Sequence, residues 1–396
     1  MSRPSSKAAH PTPATTAPLP DLVAAYDRVA LLLQGGGALG AYHVGVWEAL
    51  ESAGVEPTWI SGVSIGAINS AIIAGNPPDR RLERLTRFWE TVTRRSAADL
   101  LDPFDVFRSF ENQWSGLAAM TMGQPGFFAP RVPSPWFRAR GSEGATSFYD
   151  TGDLKSTLET LIDFDRLEAG PMRVSVGAVE VESGNFTWFD NRHPDPAKRT
   201  RIDVRHVMAS GALPPALPAI DIDGRHYWDG GLVSNTPLEH LLDQEDDLSS
   251  LVFQVDLFPA QGAMPQDMAE VLARQKDITY SSRTRAGTTR FRQMFALRRQ
   301  LLAALDRIPE DLRTEADRAT IRDLCKPGVV DILHVIYRIK SWESDNKDYE
   351  FSARSAREHR AAGHADMTAT LARRDWFVPP KAEDAVATHD IHAEEP

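Results

Sequence analysis

The stretch Trp59-Ile60-Ser61-Gly62-Val63-Ser64-Ile65-Gly66-Ala67 decides the fold of this 396-residue chain. An apolar run enters a Gly-x-Ser-x-Gly turn, and small apolar residues follow it. This pattern is typical of a nucleophile elbow, in which a strand turns sharply into a helix and exposes a serine hydroxyl. The N–H of Ile65 and the positive end of the helix would then lie beside Ser64. A plain turn of small residues has the same pattern, so the rest of the chain has to decide.

A glycine-rich loop precedes this turn. The apolar run 28–34 leads into Gly35-Gly36-Gly37-Ala38-Leu39-Gly40, and apolar residues at helical spacing follow. The loop matches a dinucleotide-binding pattern, but that interpretation needs an acidic residue at the end of the next strand, which here ends at Ser61. Its first three glycines could instead offer backbone amides to an oxyanion, and we favour this over a dinucleotide site or tight packing.

A third motif lies far downstream. The segment Arg225-His226-Tyr227-Trp228-Asp229-Gly230-Gly231-Leu232 predicts a strand that ends in Asp-Gly-Gly. An aspartate at that position can point into a pocket, because the two glycines allow the backbone to bend behind it. Taken alone, the pattern is more typical of a hairpin turn, since Asp-Gly is a strong hairpin signal.

The three motifs together resemble the patatin-like phospholipase family. The glycine loop, the Ser64 turn and the Asp229 motif occur in the family's order, and the similarity extends from about residue 28 to 257. The resemblance implies an α/β fold of three layers, α/β/α, with a mostly parallel central sheet related to that of α/β-hydrolases. It also implies a serine acyl hydrolase that cleaves fatty-acyl esters of phospholipids or other lipids through an acyl-serine intermediate.

The same resemblance implies a catalytic dyad. Ser64 would be the nucleophile and Asp229 the base that removes its proton, since a serine hydroxyl is a poor nucleophile without a neighbouring base. Each backbone donor of an oxyanion hole is worth roughly 3–4 kcal/mol in the transition state. The expected donors are the amides of Gly35, Gly36, Gly37 and Ile65, and the expected supporting glycines are Gly40, Gly62, Gly66, Gly230 and Gly231. This chemistry needs no metal and no cofactor, and no His/Cys spacing suggests a metal site.

One position departs from the family pattern, and two other hypotheses stay open. Many family members have Arg where this chain has Leu39, which puts a phosphate headgroup site in doubt but leaves the ester chemistry intact. The first alternative is a Ser-Asp-His triad of the α/β-hydrolase kind, for which His240, His334 and His359 are candidates. The second is a non-catalytic lipid-binding or partner-binding protein on the same scaffold.

Composition limits the partners and the location. The net charge of −11 argues against nucleic acid as the main partner. The single cysteine, Cys325, excludes an internal disulfide and indicates a reducing compartment, so we expect a cytoplasmic protein. No apolar run reaches membrane-spanning length, which leaves reversible contact with a membrane surface as an open alternative. The expected partner is a lipid or acyl-ester substrate, and the sequence does not indicate an oligomeric state.

The remaining patterns divide the chain. Segment 100–150 holds ten aromatic residues and predicts either a cover or acyl-binding wall over the serine, or a satellite hydrophobic cluster. Residues 269–305 predict a basic helix whose apolar stripe faces either an anionic membrane surface or the core. The expected regions are a disordered arm (1–24), a catalytic domain (25–260), a helical C-terminal extension packed on it (261–378) and an acidic disordered tail (379–396).

Overall fold

The computed structural model describes residues 17–94, 119, 121–142, 144–244, 248–282, 284–324, 328–338, 346–380 and 386–392. A nine-stranded sheet forms the centre of this part of the chain, and a separate two-stranded pair (β3 and β4) lies outside it. The strands are β1 (Arg28–Leu33), β2 (Trp59–Val63), β3 (Ala129–Pro130), β4 (Tyr149–Asp150), β5 (Arg173–Glu180), β6 (Phe186–Asp190), β7 (Ile220–Ile222), β8 (Arg225–Asp229), β9 (Ser250–Asp256), β10 (Val330–Ile336) and β11 (Val386–Asp390).

Helices surround this sheet and connect its strands. The α-helices of the described residues are α1 (Leu19–Val23), α2 (Ala41–Ser52), α3 (Ile65–Ala74), α4 (Arg81–Val92), α5 (Gly152–Leu161), α6 (Phe164–Ala169), α7 (Val204–Ser210), α8 (Leu238–Leu242), α9 (Met268–Tyr280), α10 (Thr284–Leu305), α11 (Glu315–Leu324) and α12 (Ala353–Ala372). None of them has both the length and the apolar character needed to cross a membrane.

The sheet is mostly parallel, as predicted. The strands β11, β10, β9, β1, β2 and β5 lie side by side in that order, and each neighbouring pair is parallel. Beyond β5 the pairing becomes antiparallel, with β6, β8 and β7. Because β2 and β5 are parallel, Val63 at the end of β2 lies beside Gly177 of β5. This register fixes the position of the residue that follows Val63, which is Ser64.

Two apolar cores cover the two faces of the sheet. Strand β1 shows this directly, because its side chains alternate between the faces. Val29, Leu31 and Leu33 belong to the larger core, which includes side chains of α2, α3 and α12. Ala30 and Leu32 belong to a smaller core that packs against α8 and α10. The predicted three-layer α/β/α arrangement is therefore confirmed.

The two chain ends are more structured than predicted. The arm was expected to be disordered through residue 24, but α1 forms within it and buries the side chains at both of its ends. The acidic tail was expected to be disordered from residue 379, but β11 pairs with β10 and buries Val386. Both predictions were wrong for these residues, because such short segments gain order from packing on the body and carry little periodicity of their own. Residues 1–16 and 393–396 lie outside the described residues.

The C-terminal region adds strands as well as helices to the body. Strand β10 lies in the predicted extension, where a last strand was expected at 329–339, and β11 lies in the predicted tail; both extend the sheet beyond β9. The predicted helix 269–305 is two helices, because Ser281 adopts an extended conformation and ends α9. Its apolar stripe is divided: Phe291 packs against the smaller core, whereas Met294 and Leu301 are half exposed.

Helices α2 and α12 cross in direct backbone contact at two glycines. A Cβ added to Gly45 would collide with the carbonyl oxygen of Arg360, and one added to Gly363 would collide with that of Tyr42. Such an approach is possible only without side chains at these positions. The crossing fixes the last long helix to the helix that follows the glycine loop.

We expect Gly363→Ala to lower the free energy of unfolding by about 1–3 kcal/mol, because the added methyl group has to push α2 and α12 apart. Urea unfolding measures the change. The matched control is Gly287→Ala in α10, where an added Cβ points into open space among the described residues. That change should leave the stability equal or raise it by up to about 1 kcal/mol. A Gly363→Ala protein as stable as the parent would contradict the close crossing.

Candidate functional site

Ser64 occupies the tight turn between β2 and α3. Its φ of 56° and ψ of −126° are unusual for a residue with a side chain, and such strain is common at functional positions. A Cβ added to Gly62 would collide with the backbone of Gly66, and one added to Gly66 would collide with the carbonyl group of Leu33. The two glycines therefore allow the turn to close against β1. The predicted strand, turn and helix are present.

The hydroxyl of Ser64 faces the carboxylate of Asp229. Ser64 Oγ donates to Asp229 Oδ2 at 2.6 Å, and the backbone N–H of Gly231 donates to Asp229 Oδ1 at 2.7 Å. Asp229 is almost completely buried, with 2% of its surface exposed. Both carboxylate oxygens therefore have a donor, and one of these donors is the serine.

Asp229 is the last residue of β8, a strand that runs antiparallel to β5 and ends beside the serine. Strand β8 runs against β5, with Asp229 opposite Ala178. The neighbour of Ala178 on β5 is Gly177, which pairs with Val63. Strand β8 thus ends where it becomes level with the end of β2. We expected both residues at the carboxyl ends of their strands, and they are, although the strands run in opposite directions.

Burial raises the pKa of Asp229 to about 7, and the hydrogen bonds from Ser64 and Gly231 partly oppose this rise. Burial removes the carboxylate from water and so disfavours its charged form. A carboxyl group with a pKa near neutrality is a better proton acceptor at pH 7 than an ordinary aspartate, because its affinity for the proton is higher.

Ser64 and Asp229 line an open cleft. Aliphatic side chains form part of its wall, among them Ile68, Leu213 and Leu217. The aromatic residues that line it are Phe127, Phe128, Tyr149, Phe258, Tyr280, Tyr349 and Phe351. Mainly apolar walls suit an apolar ligand such as an acyl chain.

The described part of segment 100–150 contributes to this wall. Its residues Phe127, Phe128 and Tyr149 line the cleft, as the acyl-binding hypothesis expects. Phe127 and Phe128 also belong to the large core, so the wall is continuous with the hydrophobic interior. Residues 100–118, 120 and 143 of this segment, for which a cover over the serine was also considered, lie outside the described residues.

The glycine loop borders the same cleft. Gly35, Gly36 and Gly37 all line it, next to Ser64 and Ile65. The N–H of Gly35 donates to the carbonyl oxygen of Asn235 at 3.3 Å. Within the described part of the chain, the N–H groups of Gly36 and Gly37 have no acceptor.

Polar side chains that the sequence patterns did not single out hold these parts together. Ser210 Oγ accepts from the N–H of Ser64 at 3.0 Å and donates to the carbonyl oxygen of Gly177 at 2.6 Å. Asn235 Nδ2 donates to the carbonyl oxygen of Gly35 at 3.0 Å and to that of Tyr280 at 3.1 Å. Ser210 thus ties the serine turn to β5, and Asn235 ties the glycine loop to the end of α9.

Gln34 makes a similar connection from the end of β1. Its side chain is fully buried, and its Oε1 accepts from the N–H groups of Leu257 and Phe258 at 2.6 and 3.0 Å. Its Nε2 donates to Thr236 Oγ1 and to the carbonyl oxygen of Tyr280, both at 2.9 Å. The sequence held one signal of this role: Gln34 is a polar residue at the end of an apolar strand, directly before the glycine loop.

The three candidate histidines lie away from the serine. Two of them lie against other aspartates. His240 Nε2 is 3.3 Å from Asp190 Oδ2, and His334 Nδ1 is 3.7 Å from Asp256 Oδ2. His359 packs edge-on against an aromatic ring. No histidine is among the described residues that line the cleft. The structure therefore brings together the serine and the aspartate but does not assemble the alternative triad.

Two family models match the chain. Residues 31–242 match the model described as patatin-like phospholipase. Residues 278–383 match a second model, described as patatin phospholipase. The first match includes the glycine loop, Ser64 and Asp229, and the second includes the region that contributes α10 to α12 and β10.

Curated relatives are similar over the first part of the chain. An uncharacterized NTE family protein of Mycobacterium tuberculosis is 25% identical over 249 residues, which are 62% of this chain and 55% of that protein. Lysophospholipase nte1 of Aspergillus terreus is 26% identical over 253 residues, which are 62% of this chain and 13% of that protein. The aligned part is thus about half of the mycobacterial protein and a small part of the fungal one.

Two solved structures also match. VipD from Legionella pneumophila is 14% identical, with a TM-score of 0.38 and coverage of 87% of this chain and 66% of that chain. The type III effector protein ExoU is 14% identical, with a TM-score of 0.29 and coverage of 88% of this chain and 53% of that chain. Both scores are too low for a comparison of sites.

Proposed function

The chain belongs to the patatin-like phospholipase family, and from that premise we propose that it is a serine acyl hydrolase that cleaves fatty-acyl ester bonds of lipids. The observation that carries the proposal is the 2.6 Å hydrogen bond from Ser64 Oγ to Asp229 Oδ2 inside an apolar cleft. A hydroxyl bound to a buried carboxylate, beside backbone amides that have no acceptor among the described residues, has the parts that acyl transfer needs.

The first half-reaction acylates Ser64. The carboxylate of Asp229 accepts the hydroxyl proton while Ser64 Oγ attacks the ester carbonyl carbon. The carbonyl oxygen becomes an oxyanion, to which the N–H groups of Gly36, Gly37 and Ile65 donate. The tetrahedral intermediate then expels the alcohol, which takes the proton from Asp229. The acyl group remains on Ser64 as an ester.

The second half-reaction releases the fatty acid. Asp229 accepts a proton from a water molecule, whose oxygen attacks the acyl-Ser64 carbonyl carbon. The same amides bind the second oxyanion. The intermediate collapses with release of the carboxylic acid, and the proton on Asp229 returns to Ser64 Oγ. A single carboxyl group thus serves as base and acid in turn, without an imidazole.

We propose that membrane contact involves exposed apolar residues next to a segment that lines the cleft. Val132, Trp136 and Phe137 are each more than 80% exposed. The Trp136 ring lies 6.4 Å from that of Phe148, the residue before Tyr149, which lines the cleft. We call Val132, Trp136, Phe137 and Phe148 the apolar rim. Exposed aromatic side chains beside an acyl site favour insertion into a lipid interface, where a lipid substrate would be found.

Helix α10 is a less suitable membrane surface. Its residues Phe291, Met294 and Arg298 surround a second cavity together with Arg28 and Ser250. Arg28 and Ser250 begin β1 and β9, whereas Ser64 follows the end of β2. A membrane at that cavity would therefore face the amino-terminal ends of the parallel strands, whereas Ser64 lies at their carboxyl ends.

We expect Ser64→Ala to reduce ester hydrolysis to near background, a loss of about 10⁵-fold or more in kcat. Asp229→Asn should reduce kcat by about 10³-fold or more, because the amide keeps the shape but cannot accept the proton. Hydrolysis of a panel of acyl esters measures both effects. The control is Asp221→Asn, which removes an exposed carboxylate on the neighbouring strand β7 and should leave kcat unchanged. Full activity of Asp229→Asn would exclude the dyad.

The activity should also depend on pH, with a loss on the acidic side only. The active form has Asp229 ionised, and burial raises its pKa to about 7. We therefore expect kcat/KM to fall about tenfold per pH unit below pH 7 and to be constant above it. A pH profile with a soluble ester tests this. A profile that stays flat down to pH 5 would show that a group with an ordinary carboxylate pKa limits the reaction.

Removal of the apolar rim should weaken membrane binding. We expect Trp136→Ala/Phe137→Ala to reduce partitioning onto phosphatidylcholine vesicles about tenfold or more, because two large apolar side chains no longer enter the lipid. Vesicle sedimentation measures the partitioning, and unchanged kcat/KM on a soluble ester shows that the fold is intact. The control is Leu297→Ala, which removes an exposed side chain of α10. Equal losses in both proteins would contradict the assignment of the rim.

A further inference from the structure

The cleft that holds Ser64 contains a second carboxylate, Asp348. Asp348 lies in the C-terminal region, outside the part of the chain that contains the three sequence motifs. Among the described residues, the lining includes Asp229 and Asp348 but no lysine, arginine or histidine. A ligand in the cleft therefore meets apolar surface, backbone groups and two aspartates, and no cationic side chain lines the cleft in the described part of the chain.

Asp348 lies directly against the glycine loop. It belongs to a short 3₁₀ turn, Lys347–Tyr349. Gly37 has a φ of 54°, and a Cβ added to it would collide with the carbonyl oxygen of Asp348. The backbone of the turn therefore touches the loop whose amides are the proposed oxyanion donors, and Asp348 lines the same cleft as Ser64.

Two ion pairs hold this turn on α9. Lys276 Nζ lies 2.7 Å from Asp348 Oδ1, and Lys347 Nζ lies 2.5 Å from Asp277 Oδ1. Lys347 and Asp277 are almost fully buried, and neither lines the cleft. Lys276 is absent from the lining, although its Nζ lies 5.2 Å from the centre of the ring of Tyr349, which lines the cleft. The ion pair positions Asp348 and engages this ammonium group with a carboxylate of the protein.

The pKa of Tyr280, which lines the cleft, responds to the charges of both Asp229 and Asp348. Burial raises the pKa of its phenol, and the negative charges of Asp229 and Asp348 raise it further. An anionic group in the cleft would experience the charge of Asp229 and that of Asp348, the second partly offset by the ammonium group of Lys276. Leu39, in the glycine loop, is fully buried and apolar and offers no compensating charge.

We propose that the cleft selects acyl esters whose alcohol part carries no negative charge near the scissile bond, such as acylglycerols, over esters with a neighbouring phosphate group. The proposal rests on the proposed hydrolase activity and narrows its substrate. The physical reason is that a phosphate group would lose its hydration on entering the cleft, meet carboxylates and find no cation among the described lining residues.

The first test compares two soluble esters with the same acyl bond. These are 1-octanoylglycerol and 1-octanoylglycerol 3-phosphate, each below its critical micelle concentration and at pH 8, where Asp229 is ionised. We expect kcat/KM to be about tenfold or more higher for the uncharged ester, because like charges placed together strongly disfavour a ligand. Equal values, or a preference for the phosphate ester, would overturn the proposal. This comparison uses the unaltered protein.

The second test changes the carboxylate. Asp348→Asn leaves the ammonium group of Lys276 without its counter-charge beside the cleft, so the ratio between the two esters should narrow by about threefold or more. The matched control is Asp221→Asn, which removes an exposed carboxylate on β7 that does not line the cleft, and its ratio should equal that of the parent. A ratio unchanged in Asp348→Asn, or changed equally in both variants, would show that Asp348 does not discriminate.

The two proposals fail in different ways. If neither ester is hydrolysed in a Ser64-dependent manner, the hydrolase proposal fails and the selectivity proposal fails with it. If both esters are hydrolysed by Ser64 at the same rate, the hydrolase proposal stands and the selectivity proposal alone is overturned.

Discussion

The hydrogen bond between Ser64 and Asp229 is the constraint on which the rest of the structure depends. It joins two strands of opposite direction, so both must end at the same level of the sheet. Strand β2 reaches that level through a turn that requires glycine two residues before and two residues after the serine. Strand β8 reaches it by pairing with β5 from the other direction. The parallel sheet and its antiparallel edge are therefore both needed to form one 2.6 Å contact.

Two buried aspartates of this protein show how the groups around a carboxylate determine its pKa and its role. Burial raises the pKa of Asp229, whose described donors are a hydroxyl and a backbone N–H. Burial would also raise the pKa of Asp190, but hydrogen bonds from His240 and Arg173 lower it below its ordinary value. An ion-paired carboxylate holds its charge and contributes structure, whereas one without a cation can exchange a proton near neutral pH.

Local patterns predicted much of the site, and long-range packing explains what they left out. The serine turn, the glycine loop and Asp-Gly-Gly are encoded by residues close in sequence, so their backbone forms could be predicted. Ser210 and Asp348 reach the site through tertiary packing, and no spacing in the sequence identifies them. Strand β11 was missed for the same reason, since only the edge of β10 gives this short segment order.

The most direct test of the central claim is the rate at which a fluorophosphonate probe modifies Ser64, followed by peptide mass spectrometry in the parent protein and in Asp229→Asn. The account predicts that the adduct in the parent maps to Ser64 and that Asp229→Asn slows its formation by about 10³-fold, since the hydroxyl loses its base. Modification of a different residue, or equal rates in the two proteins, would contradict activation of the serine by this carboxylate.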